Sequence, residues 1–194
     1  MKKILLAIVL TGLFAVSKVN AQGSIFAVEY SVGFGVGDTK DFVSSVSWRG
    51  VAFEYRYFVQ PSIGIGGETG YNLFYEEKPY DTYTEGTATI SGKQFRYMHV
   101  VPVLATADYH FKPDTSADPF IGVGIGTLYA NRDVDMGMFT MEDDAWQFAL
   151  RPEVGVLINT NNVNLILAAK YMMGFKTDNF DATNYFTINV GLVF

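Results

Sequence analysis

The chain has no cysteine. That excludes a disulfide framework, thiol chemistry and a lipid anchor on a processed N-terminal cysteine. Cations are also scarce, with 14 Lys and Arg against 20 Asp and Glu. Three of the lysines, Lys2, Lys3 and Lys18, crowd the N-terminus, so residues 22–194 keep 11 basic against 20 acidic groups, a net −9. So acidic a chain repels phosphate backbones, which argues against nucleic acid as a partner. No apolar run after Ala21 reaches the roughly 20 residues that a membrane-spanning helix needs. Linkers and low-complexity stretches are missing too, so residues 22–194 read as one domain.

What is present begins with "MKKILLAIVLTGLFAVSKVNAQ". Lys2 and Lys3 precede an apolar run over residues 4–16, and Val19-Asn20-Ala21 puts small residues at the −3 and −1 cleavage positions. We read residues 1–21 as a secretory signal peptide cut before Gln22. A retained membrane helix is the competing reading, and the run is short for it.

Beyond this leader the sequence alternates at a period of two, the signature of strands. Phe26, Val28, Tyr30, Val32 and Phe34 alternate with Ala27, Glu29, Ser31, Gly33 and Gly35. The same pattern recurs seven more times, ending in Phe186, Ile188, Val190, Leu192 and Phe194 against Tyr185, Thr187, Asn189 and Gly191. Short links fall at "VQPS", "KPDTSAD" and "NTNN", and longer polar links near residues 37–46, 75–93, 131–144 and 176–183. Eight strands with short turns at one end and long loops at the other predict an all-β, antiparallel, up-and-down transmembrane barrel over residues 22–194. A soluble lipocalin-like barrel is the competitor, but it would turn its apolar face inward and a charged skin outward. Here the second face is small and polar, while the apolar face gathers Tyr, Phe and Trp towards its ends, as a lipid-facing girdle requires.

The stretch "PFIGVGIGTLYA" at residues 119–130 sets Gly122, Gly124 and Gly126 at every second position. A dinucleotide site would need a third glycine three residues after the second and a helix behind it. Neither is present. The glycines lie on the inward face of a strand, where a narrow eight-stranded barrel needs room for larger side chains on neighbouring strands.

"PVLATADYHF", a short turn and "DPFIGVGIG" resemble the outer membrane protein W and OmpA-like β-barrel families, through Pro102, Tyr109, Phe111, Pro119, Phe120, Gly122 and Gly124. Phe120 stands where those families more often carry Tyr. The resemblance implies a Gram-negative outer-membrane location beside lipopolysaccharide. The closing strand resembles the signal read by the barrel-assembly machinery, through Phe186, Ile188, Val190, Leu192 and Phe194. No periplasmic domain is expected after it. Lipid A deacylases share this barrel and use a His with a Ser two residues later; His99 has Val101 there. Palmitoyl transfer on the same barrel calls on a His, Asp and Ser, which this chain does not assemble. No enzyme activity and no cofactor are expected, and His99 and His110 read as structural, His110 with a hydrogen bond near Asp108.

The acidic stretch "NRDVDMGMFTMEDDA" places Asp133, Asp135 and Asp144 at EF-hand spacing, but Met138 stands where the loop requires Gly. The EF-hand is rejected, and looser divalent binding competes with a solvated acidic loop. Inward parity collects Glu29, Glu54, Glu68, Asp108 and Glu153 with Arg56, Arg96, Arg151 and Lys170. Unpaired charges are costly in so narrow a lumen, so these nine groups are expected to form an ion network that fills it. Three functions follow: a structural or surface-interaction protein acting through its exposed loops, chiefly residues 76–94, on an unidentified surface ligand; a conduit for small hydrophobic molecules with lateral exit through the wall, the role inferred for the W-like family; and a lipid A-modifying enzyme, which the missing nucleophile disfavours.

Overall fold

A computed structural model describes residues 23–85, 88–113, 115–137, 139–160 and 163–194, with backbone alone at 83–85 and 88–90. The expected signal peptide and its cleavage point lie outside the described residues. In chain order the elements are β1 (Ser24–Val36), α1 (Asp38–Phe42), β2 (Ser47–Gln60), β3 (Ile63–Glu85), β4 (Ala88–His110), β5 (Ala117–Met136), β6 (Phe139–Ile158), β7 (Asn164–Gly174) and β8 (Thr183–Val193). Each strand pairs antiparallel with the next, and β8 returns to β1 from Ala27↔Val193 to Val36↔Asn184, closing an eight-stranded barrel. Closure leaves no open margin within the ring, which a lipid environment demands.

The period of two decides which side chain faces which way. Phe26, Phe53, Ile65, Val103, Ile125, Val154, Leu167 and Val190 project outward and are exposed. Glu29, Arg56, Asp108, Arg151, Lys170 and Asn189 on the other parity are buried in the lumen. Aromatic pairs mark the borders of the apolar belt: Tyr129 and Trp146 at one end, centroids 5.3 Å apart, and Tyr109 and Phe111 at the other, 5.2 Å apart. Both ends of the barrel chain lie with the short turns, the periplasmic side of such barrels.

The strands on the opposite side are longer than their alternation suggests. β3 and β4 run 23 residues each and β5 and β6 run 20 each, so the polar links expected at 75–93 and 131–144 are mostly strand. β2 leaves β3 at Arg49↔Leu73, and β7 leaves β6 at Ala149↔Gly174, whereas β4 and β5 stay paired up to Phe95↔Asp135. A four-stranded sheet, β3 to β6, therefore rises beyond the closed ring. Polar residues stand on both of its faces, with Gln94, Val134 and Met136 buried on the inner one, so the apolar–polar contrast that reveals a half-buried strand is blurred, while residues such as Tyr75, Tyr97 and Thr82 keep the backbone extended.

Inside the ring the lumen is packed in layers. Val43, Phe74, Met98, Leu128, Phe180 and Tyr185 form an apolar layer on the extracellular side. Phe120, Leu157 and Ile166 form another towards the periplasm. α1, within the expected link at 37–46, lies over the extracellular mouth, where Thr39 Oγ1 accepts the Asn184 amide at 3.0 Å. The charged layer sits between the two apolar ones.

Candidate functional site: the charged lumen and the extracellular sheet

Glycine spacing on β5 makes the charged layer possible. A Cβ on Gly122 would lie 2.6 Å from Glu153 Oε1 and would also overlap Asp108 Oδ1. Those two carboxyls, from β4 and β6, converge over the bare backbone of β5. Gly155 does the same for the Phe120 ring, whose Cζ would be 2.5 Å from an added Cβ.

Three cations organise the acids. Arg56 Nε donates to Glu54 Oε1 at 2.8 Å and lies 3.2 Å from Asp108 Oδ2, while its Nη2 donates to Glu153 Oε1 at 3.1 Å. Arg151 Nη1 donates to Glu153 Oε2, and its Nη2 is 3.1 Å from Glu68 Oε2. Lys170 Nζ is the hub, at 2.7 Å from Glu68, 2.9 Å from Glu29 and 3.2 Å from Glu54. Asn189 Nδ2 completes the layer by donating to Glu29 Oε2 at 2.8 Å and Ser31 Oγ at 2.7 Å. Arg56 also lies 4.1 Å over the Phe120 ring, which ties the charged layer to the apolar one below. Glu54, Asp108 and Glu153 approach closely enough to hold a metal ion, but the Arg56 guanidinium contacts all three and supplies the positive charge there.

The structure thus brings together Glu29, Glu54, Arg56, Glu68, Asp108, Arg151, Glu153 and Lys170. Arg96 does not join them. It shares their parity but stands higher, donating from Nε to Gln94 Oε1 at 2.9 Å and from Nη1 to the Phe42 carbonyl at 3.0 Å. Among the described residues it has no carboxylate partner. With Arg132 it holds α1 down: their guanidinium carbons lie 5.3 and 5.2 Å from the Phe42 ring, and Arg132 is 4.5 Å from Phe180 as well. This cap was not foreseen; Arg132 has inward parity on β5, and extending the alternation past residue 130 would have found it.

The histidines are bound in other ways than parity alone suggests. His110 pairs with Asp118 (Nδ1 to Oδ2, 2.7 Å) and not with Asp108, because the next strand returns Asp118 to its level. His99 faces outward, with Nδ1 2.6 Å from the Tyr71 hydroxyl and Nε2 3.5 Å from Asp133 Oδ2. The residues of the closing strand lie along the β8 seam, where Phe194 and Phe26 exchange backbone hydrogen bonds at 2.9 and 3.0 Å. The acidic stretch that suggested a cation loop is a hairpin instead, with Asp133 opposite Glu142 and Asn131 opposite Asp144. Gly137, at φ 63°, supplies the left-handed residue its turn needs.

A closed up-and-down ring of eight strands with a lipid-facing aromatic belt and a filled lumen is the fold of the eight-stranded barrels of the Gram-negative outer membrane. Neisserial surface protein A is similar, with 14% identity, a TM-score of 0.59, and coverage of 90% of this chain and 98% of its own. Ail, the attachment invasion locus protein of Yersinia pestis, has 12% identity and a TM-score of 0.52, covering 88% of this chain and 97% of its own. Ail in complex with the heparin analogue sucrose octasulfate gives 14% identity, a TM-score of 0.52, and coverage of 88% and 96%. No family profile and no curated protein matches the sequence.

Proposed function

We propose that this barrel is a surface-interaction protein that acts through its extracellular sheet and has no enzyme activity. The observation that carries the reading is the four-stranded rise of β3 to β6 beyond the Tyr129–Trp146 border. Continuous hydrogen-bonded strands project a rigid, exposed surface away from the bilayer, where binding residues are usually carried. A surface protein and an attachment protein among the similar structures accord with it. Folding by the barrel-assembly machinery and lipopolysaccharide around the belt belong to the same proposal.

The conduit reading, tied to the outer membrane protein W resemblance, needs room in the lumen for a small hydrophobic molecule on its way to a lateral exit through the wall. A cavity of about 10 Å³ lined by Glu68, Asn72, Arg151 and Tyr185 holds no more than a water. Replacing residues 76–94 and 132–143 by short turns should leave a folded barrel that no longer confers binding of host cells or matrix on bacteria displaying it. Unchanged adhesion by the shortened barrel would overturn the surface role.

A further inference from the structure

The two margins of the extracellular sheet differ. On β3, Ser44 donates its amide and hydroxyl to Glu76 at 2.7 and 2.8 Å. Higher up, Pro79, with no N–H, lies in a register shift between Lys78 and Asp81, and Asp81 Oδ1 takes the Thr82 amide at 2.7 Å. Prolines, shifts and charges of this kind are how natural sheets block their edges. The β6 margin has neither proline nor register shift, and its charges, Glu142, Asp143 and Asp144, are all acidic. Residues 139–144 are exposed and contain no Pro or Lys, and the β5–β6 register runs unshifted to Met136↔Phe139. Among the described residues no strand covers that side of β6 above Ala149↔Gly174.

The direction of the backbone groups follows from one contact. The Phe148 carbonyl accepts the Phe175 amide at 2.9 Å, so it points to the β7 side. In an antiparallel strand alternate residues turn N–H and C=O to the same side. Thr140, Glu142, Asp144 and Trp146 therefore present theirs to the open margin.

Charge indicates what fits there. Glu142 and Asp144 share a face with Asp133 and Asp135 of β5. The Asn131 amide on Glu142 and the Thr140 hydroxyl on Asp135 carry no charge, and the ionisable group His99 lies 3.5 Å from Asp133, away from Glu142 and Asp144 on the margin strand. The other face shows Met141, 37% exposed, and Phe139, 61% exposed, with Asp143 next along it opposite Arg132.

We propose that the open margin of β6 pairs with an extended segment of a basic partner protein, Lys or Arg falling over the acids and apolar residues over Met141. This rests on the surface-interaction reading and gives it a site and a partner chemistry. Strand addition over residues 140–146 would span about 23 Å. A second copy of this chain would set acids against acids, which opposes self-pairing.

A heptapeptide alternating Lys and Val is the probe, with a Glu–Val heptapeptide and a Lys–Val heptapeptide methylated at alternate amides as controls, on the barrel folded in nanodiscs. The Lys–Val peptide should slow amide exchange at Glu142 and Asp144 by about tenfold or more, and neither control should. Glu142→Gln should weaken binding through charge alone, whereas Glu142→Pro, which also removes the edge amide, should abolish the protection. Equal binding by the methylated peptide, or protection on β3 instead, would overturn the proposal. On cells, adhesion lost by the shortened barrel but kept by Glu142→Pro would leave the surface role standing and remove edge pairing. Adhesion kept by both would remove the surface role itself.

Discussion

Arg151 and Arg96 show how differently two inward arginines can be used. Arg151 is enclosed, with Glu153 and Glu68 as partners. Arg151→Ala would strand those carboxylates in a buried layer, and we expect a loss of about 3–5 kcal/mol in urea unfolding from bilayers. Arg96→Ala removes bonds to a carbonyl and an amide and a contact with the Phe42 ring but strands no carboxylate, so its loss should be smaller, nearer 1 kcal/mol. Equal losses would mean that the ion layer carries no special weight. Parity predicted the face of both residues from the sequence. It could not predict height, because height depends on strand tilt and stagger, and Arg96 was therefore grouped with a layer it stands above. Glu76 lies outside the membrane span and titrates on its own. Burial alone would raise its pKa, but hydrogen bonds from Lys78 and from the Ser44 amide and hydroxyl outweigh this and hold it below the ordinary carboxylate range. The tie between Ser44 and β3 should therefore be complete above the unfolded value of about 4.3 and be lost as pH falls through the lower folded value. A pH titration of the Ser44 amide resonance checks this, and Glu76→Gln should remove the acid transition.

At the scale of the strand, the lipid face is the most testable feature. Val154 and Leu167 lie within the apolar belt, on β6 and β7, and are 56% and 47% exposed. Arg at either position should cost about 2–4 kcal/mol at mid-depth in a bilayer folding titration, and less towards the aromatic borders. A negligible cost would mean that the faces are reversed. The alternation along β1, β2, β7 and β8 was fully readable, because one side meets lipid and the other a packed lumen. The upper halves of β3 to β6 were not. Polar side chains stand on both faces of that sheet, so Glu76, Lys78, Asp133 and Glu142 sit in strands that read as polar links, even though Gln94, Val134 and Met136 on its inner face are buried.

Taken as a whole, the barrel is closed along its axis. α1 lies over the mouth, the apolar layer beneath it contains Phe74 and Tyr185 in edge contact at 5.5 Å, and the charged layer follows. Planar-bilayer recording should therefore show no stable, large, porin-like conductance, and Phe42→Ala should not create one, since the charged layer lies below the cap. A large steady current through the unmutated protein would restore the conduit reading. The charged layer follows from eight of the nine residues in the parity set, but the assembly of the cap does not, since it depends on residues distant in sequence, Phe42, Arg132 and Phe180, meeting over the ring.

The β5–β6 ladder runs without a shift from Ala117↔Ile158 near the periplasm to Met136↔Phe139 at the tip. There is no hinge along it at which the upper sheet could fold over. A tug on the tip would pull both strands along their backbones and pass to β4 as shear shared among many parallel bonds, from Phe95↔Asp135 to His110↔Phe120, which resists far more force than peeling them one at a time. On the proposed surface-interaction role, a cell in flowing liquid would be moored by a stiff post, and the anchorage would fail first at the partner's own grip.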